Sequence, residues 1–232
     1  LIMIKFSIII NTHNQNQYIY KAIKSCLNQH YKSFEILIIN SSKYRIDLNK
    51  FSATENKKIK YYHIKSRYKQ PELNQINKIL VGLKKSKGSY LVFLDGDDTF
   101  TKNKLLNINK VLENKNIVCN QDLPIMIENK LKKELKRKNY KNNFLTKYIF
   151  SQWPQIYGTS SILIKSSALK VFFNKAKPFK WKWLAIDAQL IIFCNKFFNQ
   201  YNFLSSITRK QLHSNNIGTD YMNLFKKKIW LR

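Results

Sequence analysis

The chain has 232 residues, with 42 Lys+Arg against 13 Asp+Glu and a formal net charge of +29. A hydrophobic content of 44% is enough for a packed core, which excludes a disordered polycation. The charge comes without a zinc-finger, RNP or helix-turn-helix pattern, so nucleic acid is not an expected partner, and no apolar run is long enough to span a membrane.

The opening LIMIKFSIII is apolar but holds Lys5 and lacks a small-residue cleavage site. It reads as a first core strand, not as a secretory signal. Leu1 is an unusual first residue, which puts the expected start at Met3 or upstream. QYIYKAIKSCLNQ (17–29) sets Tyr18, Ala22, Ile23, Cys26 and Leu27 at helical spacing. FEILIIN (34–40) and IKYYHI (59–64) read as the second and third strands. ELNQINKILVGLKKS (72–86) is a helix with Ile76, Ile79, Leu80 and Leu83 on one face, closed by Gly88. YLVFLD (90–95) is a fourth strand. Nearly continuous apolar strands alternating with helices predict an α/β fold whose mostly parallel sheet is covered on both faces.

The second half is less regular. NIVCN (116–120) reads as a strand and 128–150 as a very basic helical stretch. GTSSILIKSSALKVF (158–172) reads as strand then helix, WLAIDAQLIIFCNKFF (183–198) as a helix, and 219–232 as a basic amphipathic end. Cys26, Cys119 and Cys194 are odd in number and contain no C-x-x-C pair. That argues for a reducing compartment and against structural zinc or a disulfide framework.

Ligands of open parallel sheets bind beyond the carboxyl ends of the strands. Three polar stretches lie at such ends: NTHN (11–14), NSSK (40–43) and DGDD (95–98). The last is the most informative. Asp-x-Asp on a turn brings two carboxylates together, which suits Mg²⁺ or Mn²⁺ with phosphate as the remaining ligand. Such a metal stabilises charge on a diphosphate leaving group.

From residue 6 to 98 the chain resembles the family 2 glycosyltransferases. Thr12, Asn14, Ser25, Leu27, Gln29, Phe34, Glu35 and Ile36 match the family's opening, and GLKKSKGSYLVFLDGDD matches its Gly-Leu, Gly-x-Tyr and Asp-x-Asp-Asp segment. The resemblance continues more sparsely to about 218. AIDAQL is similar to the segment that carries the family's catalytic base, and LHSNNIG to one with a late His.

This resemblance implies a GT-A (Rossmann-like) fold over 1–218, with a nucleotide-binding half to about residue 100 and an acceptor half after it. It implies transfer of a sugar from a nucleotide-diphosphate donor, UDP-linked by expectation, to an acceptor hydroxyl with inversion. It also implies Thr12, Asn14, Asn40 and Asp95 at the nucleotide, Asp97 and His213 at the metal, and Asp187 as the base. A saccharide or lipid-linked acceptor, cell-surface polysaccharide or glycolipid synthesis, and a cytoplasmic protein peripheral to the membrane follow as expectations.

The chain also departs from the family. Asn40-Ser41-Ser42-Lys43 replaces Asp-Asp-Gly-Ser, Lys78-Ile79-Leu80 replaces Ala-Arg-Asn, Ile186 replaces a Glu, and Gln211 stands where an Arg is expected. A diverged, non-catalytic basic binding module on the same fold is therefore the alternative. A nucleotidyltransferase is a further one, although NTHNQNQ lacks a Gly-rich phosphate loop. Trp153, Trp181 and Trp183 are candidates for an aromatic acceptor platform or for core packing.

Overall fold

The computed structural model describes residues 4–128, 131–134, 156–198, 200–203 and 207–212. In chain order these form β1 (Phe6–Thr12), α1 (Asn16–Leu27), β2 (Phe34–Asn40), α2 (Ala53–Asn56), β3 (Ile59–His63), α3 (Pro71–Lys85), β4 (Tyr90–Asp95) and β5 (Thr99–Phe100). They continue with α4 (Lys104–Asn114), β6 (Cys119–Asp122), β7 (Ile125–Glu128), β8 (Leu131–Glu134), β9 (Ile162–Lys165), α5 (Ser166–Ala176), α6 (Ile186–Phe197), β10 (Gln200–Phe203) and β11 (Thr208–Gln211).

The main sheet has seven strands in the order β10-β6-β9-β4-β1-β2-β3. β4, β1, β2 and β3 run parallel. β9 is antiparallel to both of its neighbours. Alternation along β1 feeds two cores. Phe6, Ile8 and Ile10 pack with Ile19, Ile23 and Cys26 of α1 and Leu105 and Ile108 of α4. Ile9 packs with Ile76 and Ile79 of α3, Leu169 and Phe172 of α5, and Leu190 of α6. Burial on both faces is what a near-continuous apolar strand requires. A second sheet, β5-β11-β7-β8, lies beyond the carboxyl end of β4.

The third strand and the two long helices of the first half lie where their sequence patterns place them. The basic stretch expected as a helix from 128 instead begins as a β7–β8 hairpin, paired from Ile125↔Glu134 to Glu128↔Leu131. The extended form gives β7 a partner in β11 as well as in β8. Gly88 does not close α3. That helix ends when the Ser86 N–H donates to the Gly82 carbonyl, whereas the Gly88 N–H donates to Ser7 Oγ at 2.8 Å and fastens the entry to β4. Residues 135–155 and 213–232, with Trp153, His213 and the basic amphipathic end, lie outside the described residues.

Candidate active site

Three strand ends build the site. β1 and β4 pair in register up to Asn11↔Asp95, so their polar continuations emerge together. The turn after β4 is closed by Gly96 N–H to Asn11 O at 2.9 Å and Asp98 N–H to Asp95 O at 3.1 Å. Gly96 is required by proximity. A Cβ there would lie 2.6 Å from Gln15 Oε1 and 2.7 Å from Thr12 Oγ1. The glycine of DGDD is what lets Thr12 and the acidic turn touch.

The three carboxylates have different surroundings. Asp98 is buried, and both its oxygens are engaged. Ser160 Oγ donates to Oδ2 at 2.6 Å and the Gln211 N–H to Oδ1 at 2.9 Å. Asp95 is half-buried, accepts from Gln75 Nε2 at 3.1 Å, and donates its N–H to Ser160 Oγ at 3.0 Å. Asp97 lines a cavity of about 180 Å³ together with Tyr18, Lys21, Thr99, Arg209 and Gln211. Burial, then the charge of Asp97, push the Asp95 and Asp98 carboxyls well above the ordinary range, and Lys210 opposes this.

Among the described residues no three His, Cys, Asp or Glu side chains converge on a metal-sized point. Asp98 is committed to Ser160 and Gln211. Asp97 on the cavity wall is the carboxylate suited to a hard cation that takes its other ligands from phosphate and water, as Mg²⁺ does. Among the described residues this one carboxylate is compatible with such an ion, which would draw its remaining ligands from phosphate and water.

Thr12, Asn14 and Asn40, the residues expected at the nucleotide, lie at the ends of β1 and β2. The Thr12 carbonyl accepts from Ser41 N–H at 3.2 Å and from Lys78 Nζ at 3.3 Å. Asn14 has a φ of 54°, a left-handed conformation that Asn tolerates, and contacts His13 Nε2 at 3.2 Å. Asn40 shapes the following loop. Its amide donates to Tyr44 O at 2.8 Å and Tyr61 Oη at 3.0 Å. Its Oδ1 accepts from Ser42 N–H at 2.9 Å and Ser42 Oγ at 2.6 Å.

Asp187 stands in the first turn of α6, where it accepts from its neighbour Ala188 N–H at 2.8 Å. Burial pushes its pKa up, against Lys210 and the backbone N–H groups. Its charge reaches Asp95, so the two halves of the chain share one electrostatic site.

Sequence reasoning missed several residues here. Ser160 organises the acidic turn, Gln75 bridges Asp95 and Thr159 Oγ1, and Lys210 stands among the carboxylates. A Gly-Thr-Ser-Ser stretch before a strand offers a signal for Ser160. Nothing local marks Lys210.

This architecture defines a class. It is the GT-A fold, shared with TarS 1-349 of S. aureus in complex with UDP-GlcNAc, at a TM-score of 0.63 and 14% identity over 91% of this chain and 60% of that one. The mannosyltransferase PcManGT from Pyrobaculum calidifontis, in complex with GDP-Man and Mn²⁺, has a TM-score of 0.58 at 9% identity, over 94% of this chain and 60% of that one. The family model described as Glycosyl transferase family 2 matches residues 7–173, and the chain belongs to that family.

An uncharacterized glycosyltransferase of Rickettsia bellii is 36% identical over 116 residues, which are 49% of this chain and 16% of that protein. A Campylobacter jejuni GalNAc(5)-diNAcBac-PP-undecaprenol beta-1,3-glucosyltransferase is 36% identical over 99 residues, 41% of this chain and 30% of that protein. The chain thus spans less than a third of either relative's length.

Proposed function

We propose that the chain carries a metal-dependent inverting glycosyltransferase site that moves a sugar from a nucleotide-diphosphate donor to an acceptor hydroxyl. The observation that carries this is that Asp95, in the turn that also holds Asp97 and Asp98 of the first half, lies close enough to Asp187 of the second half for the Asp187 charge to act on it.

Thr12, Asn14 and Asp95 form the nucleoside side, with Asn40 holding the loop that faces it. Asp97 would hold Mg²⁺ or Mn²⁺, which would supply stabilisation of the charge on the departing diphosphate. His213 is assigned to the same end from the family resemblance. Asp187 takes the proton of the acceptor hydroxyl. The acceptor oxygen forms its bond to the anomeric carbon as the bond to the donor phosphate oxygen breaks, and the nucleoside diphosphate leaves with that electron pair. A carboxyl whose pKa is raised by burial is a better proton acceptor than an ordinary one.

UDP is the proposed donor nucleotide, in keeping with the TarS complexes. A lipid-linked saccharide, used in cell-surface glycan synthesis at the inner face of a membrane, is the proposed acceptor. Two features support that location. Trp181 and Trp183 are 59% and 73% exposed just ahead of α6, and the exposed Lys177, Lys180 and Lys182 interleave with them. Lysine and tryptophan together suit an anionic interface. Among the described residues no helix is long and apolar enough to cross a membrane.

The test is release of nucleoside diphosphate from a panel of UDP-, GDP- and TDP-sugars with Mn²⁺ and a saccharide acceptor mixture. One donor class should turn over. Asp187→Asn should lower the rate by roughly 10²–10⁴-fold while sparing donor binding. Undiminished turnover in that variant would remove Asp187 from the base role. The non-catalytic alternative has one observation in its favour: Asn40 spends its side chain on the protein's own loop. It predicts no turnover of any donor.

A further inference from the structure

Lys210 takes no part in the roles assigned above, yet the second sheet delivers it to the centre of the site. β11 pairs with β5 through Arg209↔Thr99, directly after the acidic turn. Successive side chains of a strand point to opposite faces. Arg209 and Gln211 face the cavity at Asp97. Thr208 and Lys210 share the other face. There Thr208 Oγ1 donates to Ser160 O at 3.2 Å and accepts from Lys104 Nζ at 2.5 Å. Two residues along, the Lys210 amine lies against Gly158, so close that any Cβ at that position would collide with it. Gly158 also has a φ of 92°, which side-chain-bearing residues rarely adopt. The 158–161 segment therefore does two things. Ser160 holds Asp95 and Asp98, and Gly158 leaves the space that the ammonium fills.

Among the described residues the ammonium has company but no ion-pair partner. Asp98, Asp95, Asp187 and Asp97 all act on it, and together they override burial and keep it charged. Among the described residues it nevertheless makes no ion pair, since the pairs that do form are Lys60–Glu35 and Lys104–Asp122. Protein encloses the amine on most sides, while part of the side chain stays open to solvent. An enclosed cation that stands off from its carboxylates is an anion-receiving group. On the nucleotide-sugar reading of the site, the anion available to it is a diphosphate.

We propose that Lys210 is a built-in cation of the donor site: its ammonium receives the nucleotide's diphosphate and sustains part of the nucleotide affinity without a divalent ion. This rests on the nucleotide-sugar reading of the site. As the anomeric carbon–oxygen bond breaks, negative charge grows on the phosphate oxygen, and Lys210 stabilises that charge without transferring its proton. A charge-assisted contact in a partly closed site is geometrically exacting, so arginine should replace lysine better than a neutral residue of the same length.

The experiment is calorimetric titration of UDP and of GDP into wild type, Lys210→Met and Lys210→Arg, each with Mn²⁺ and with EDTA. Circular dichroism and melting confirm that the variants fold. Wild type should bind one of the two nucleotides in both buffers, more weakly in EDTA. In EDTA, Lys210→Met should lose roughly 10- to 100-fold in affinity, and Lys210→Arg should retain most of it. Equal affinity of Lys210→Met and wild type in EDTA would overturn the proposal. So would wild-type binding that needs Mn²⁺ absolutely, a result that requires no variant to fold. Failure of wild type to bind either nucleotide in either buffer would instead overturn the nucleotide-site reading on which the proposal rests.

Discussion

Replacing Lys78 by Met should separate stability from ligand binding. Lys78 lies on the buried side of α3 and donates to the Thr12 carbonyl at 3.3 Å. Burial pushes its pKa down from 10.5 to about 8, and the nearby Asp95 only partly opposes this. The folded state therefore holds this proton more weakly than the unfolded chain does. A shift of that size corresponds to about 3 kcal/mol, at ~1.4 kcal/mol per pH unit.

The sign follows directly. Below pH 8 the amine is charged in both states, and folding bears the whole penalty. As pH rises from about 8 to 10.5 the folded protein loses the proton first, and the penalty fades. Lys78→Met removes the penalty and also one hydrogen bond worth roughly 1 kcal/mol. The variant should be more stable than wild type by about 2 kcal/mol at pH 7. That margin should shrink as pH rises through the window. Urea unfolding followed by tryptophan fluorescence at pH 7, 8.5 and 10 measures it. The same variant should bind nucleoside diphosphate more weakly, because a cation beside Asp95 is gone. A variant less stable than wild type at pH 7, by a margin that does not change with pH, would refute the reasoning.

Two further outcomes are expected. Lys104 is fully buried and bonded to Asp122 at 2.8 Å and to Ser160 O at 3.0 Å, so Lys104→Met should cost about 3–5 kcal/mol by stranding a buried carboxylate. Adding Asp122→Asn should recover part of it in urea unfolding, and a loss below ~1 kcal/mol would show that the pair is not a stabilising tie. Wild type should sediment with phosphatidylglycerol vesicles and not with phosphatidylcholine vesicles, and Trp181→Ala with Trp183→Ala should weaken this. Sedimentation unchanged in the double variant would place the membrane-facing surface elsewhere.

Much of the site was legible because it is local. β1, β2 and β4 are apolar runs that stop abruptly at polar residues, and the DGDD turn directly continues β4. Helices with a clear stripe, such as α3, read well for the same reason. α4 was readable but overlooked, since Leu105, Ile108, Val111 and Leu112 keep helical spacing. What stayed hidden depends on long-range pairing. Gln211 meets Asp98 across 113 residues of sequence, and Ser160 meets it across 62. Lys210 is one of 42 Lys+Arg residues. Only the pairing of β11 with β5 and the gap at Gly158 distinguish it from a solvated surface charge. Asn40 was hidden differently: its place at the end of β2 was legible, but how many of its hydrogen bonds the loop would use depends on Tyr44 and Tyr61.

The central claim is that the DGDD turn is the diphosphate and metal end of a nucleotide-sugar site. A melting panel tests it most directly, with UDP, GDP, CDP and TDP, with and without Mn²⁺, on wild type and Asp97→Ala. At ~100 times its dissociation constant a bound nucleotide stabilises by roughly 2.7 kcal/mol, a rise of about 5–10 °C for a domain of this size. One nucleotide should raise the wild-type melting point, further with Mn²⁺, and Asp97→Ala should lose the Mn²⁺-dependent part. No shift with any nucleotide, or an unchanged Mn²⁺ increment in the variant, would contradict the account.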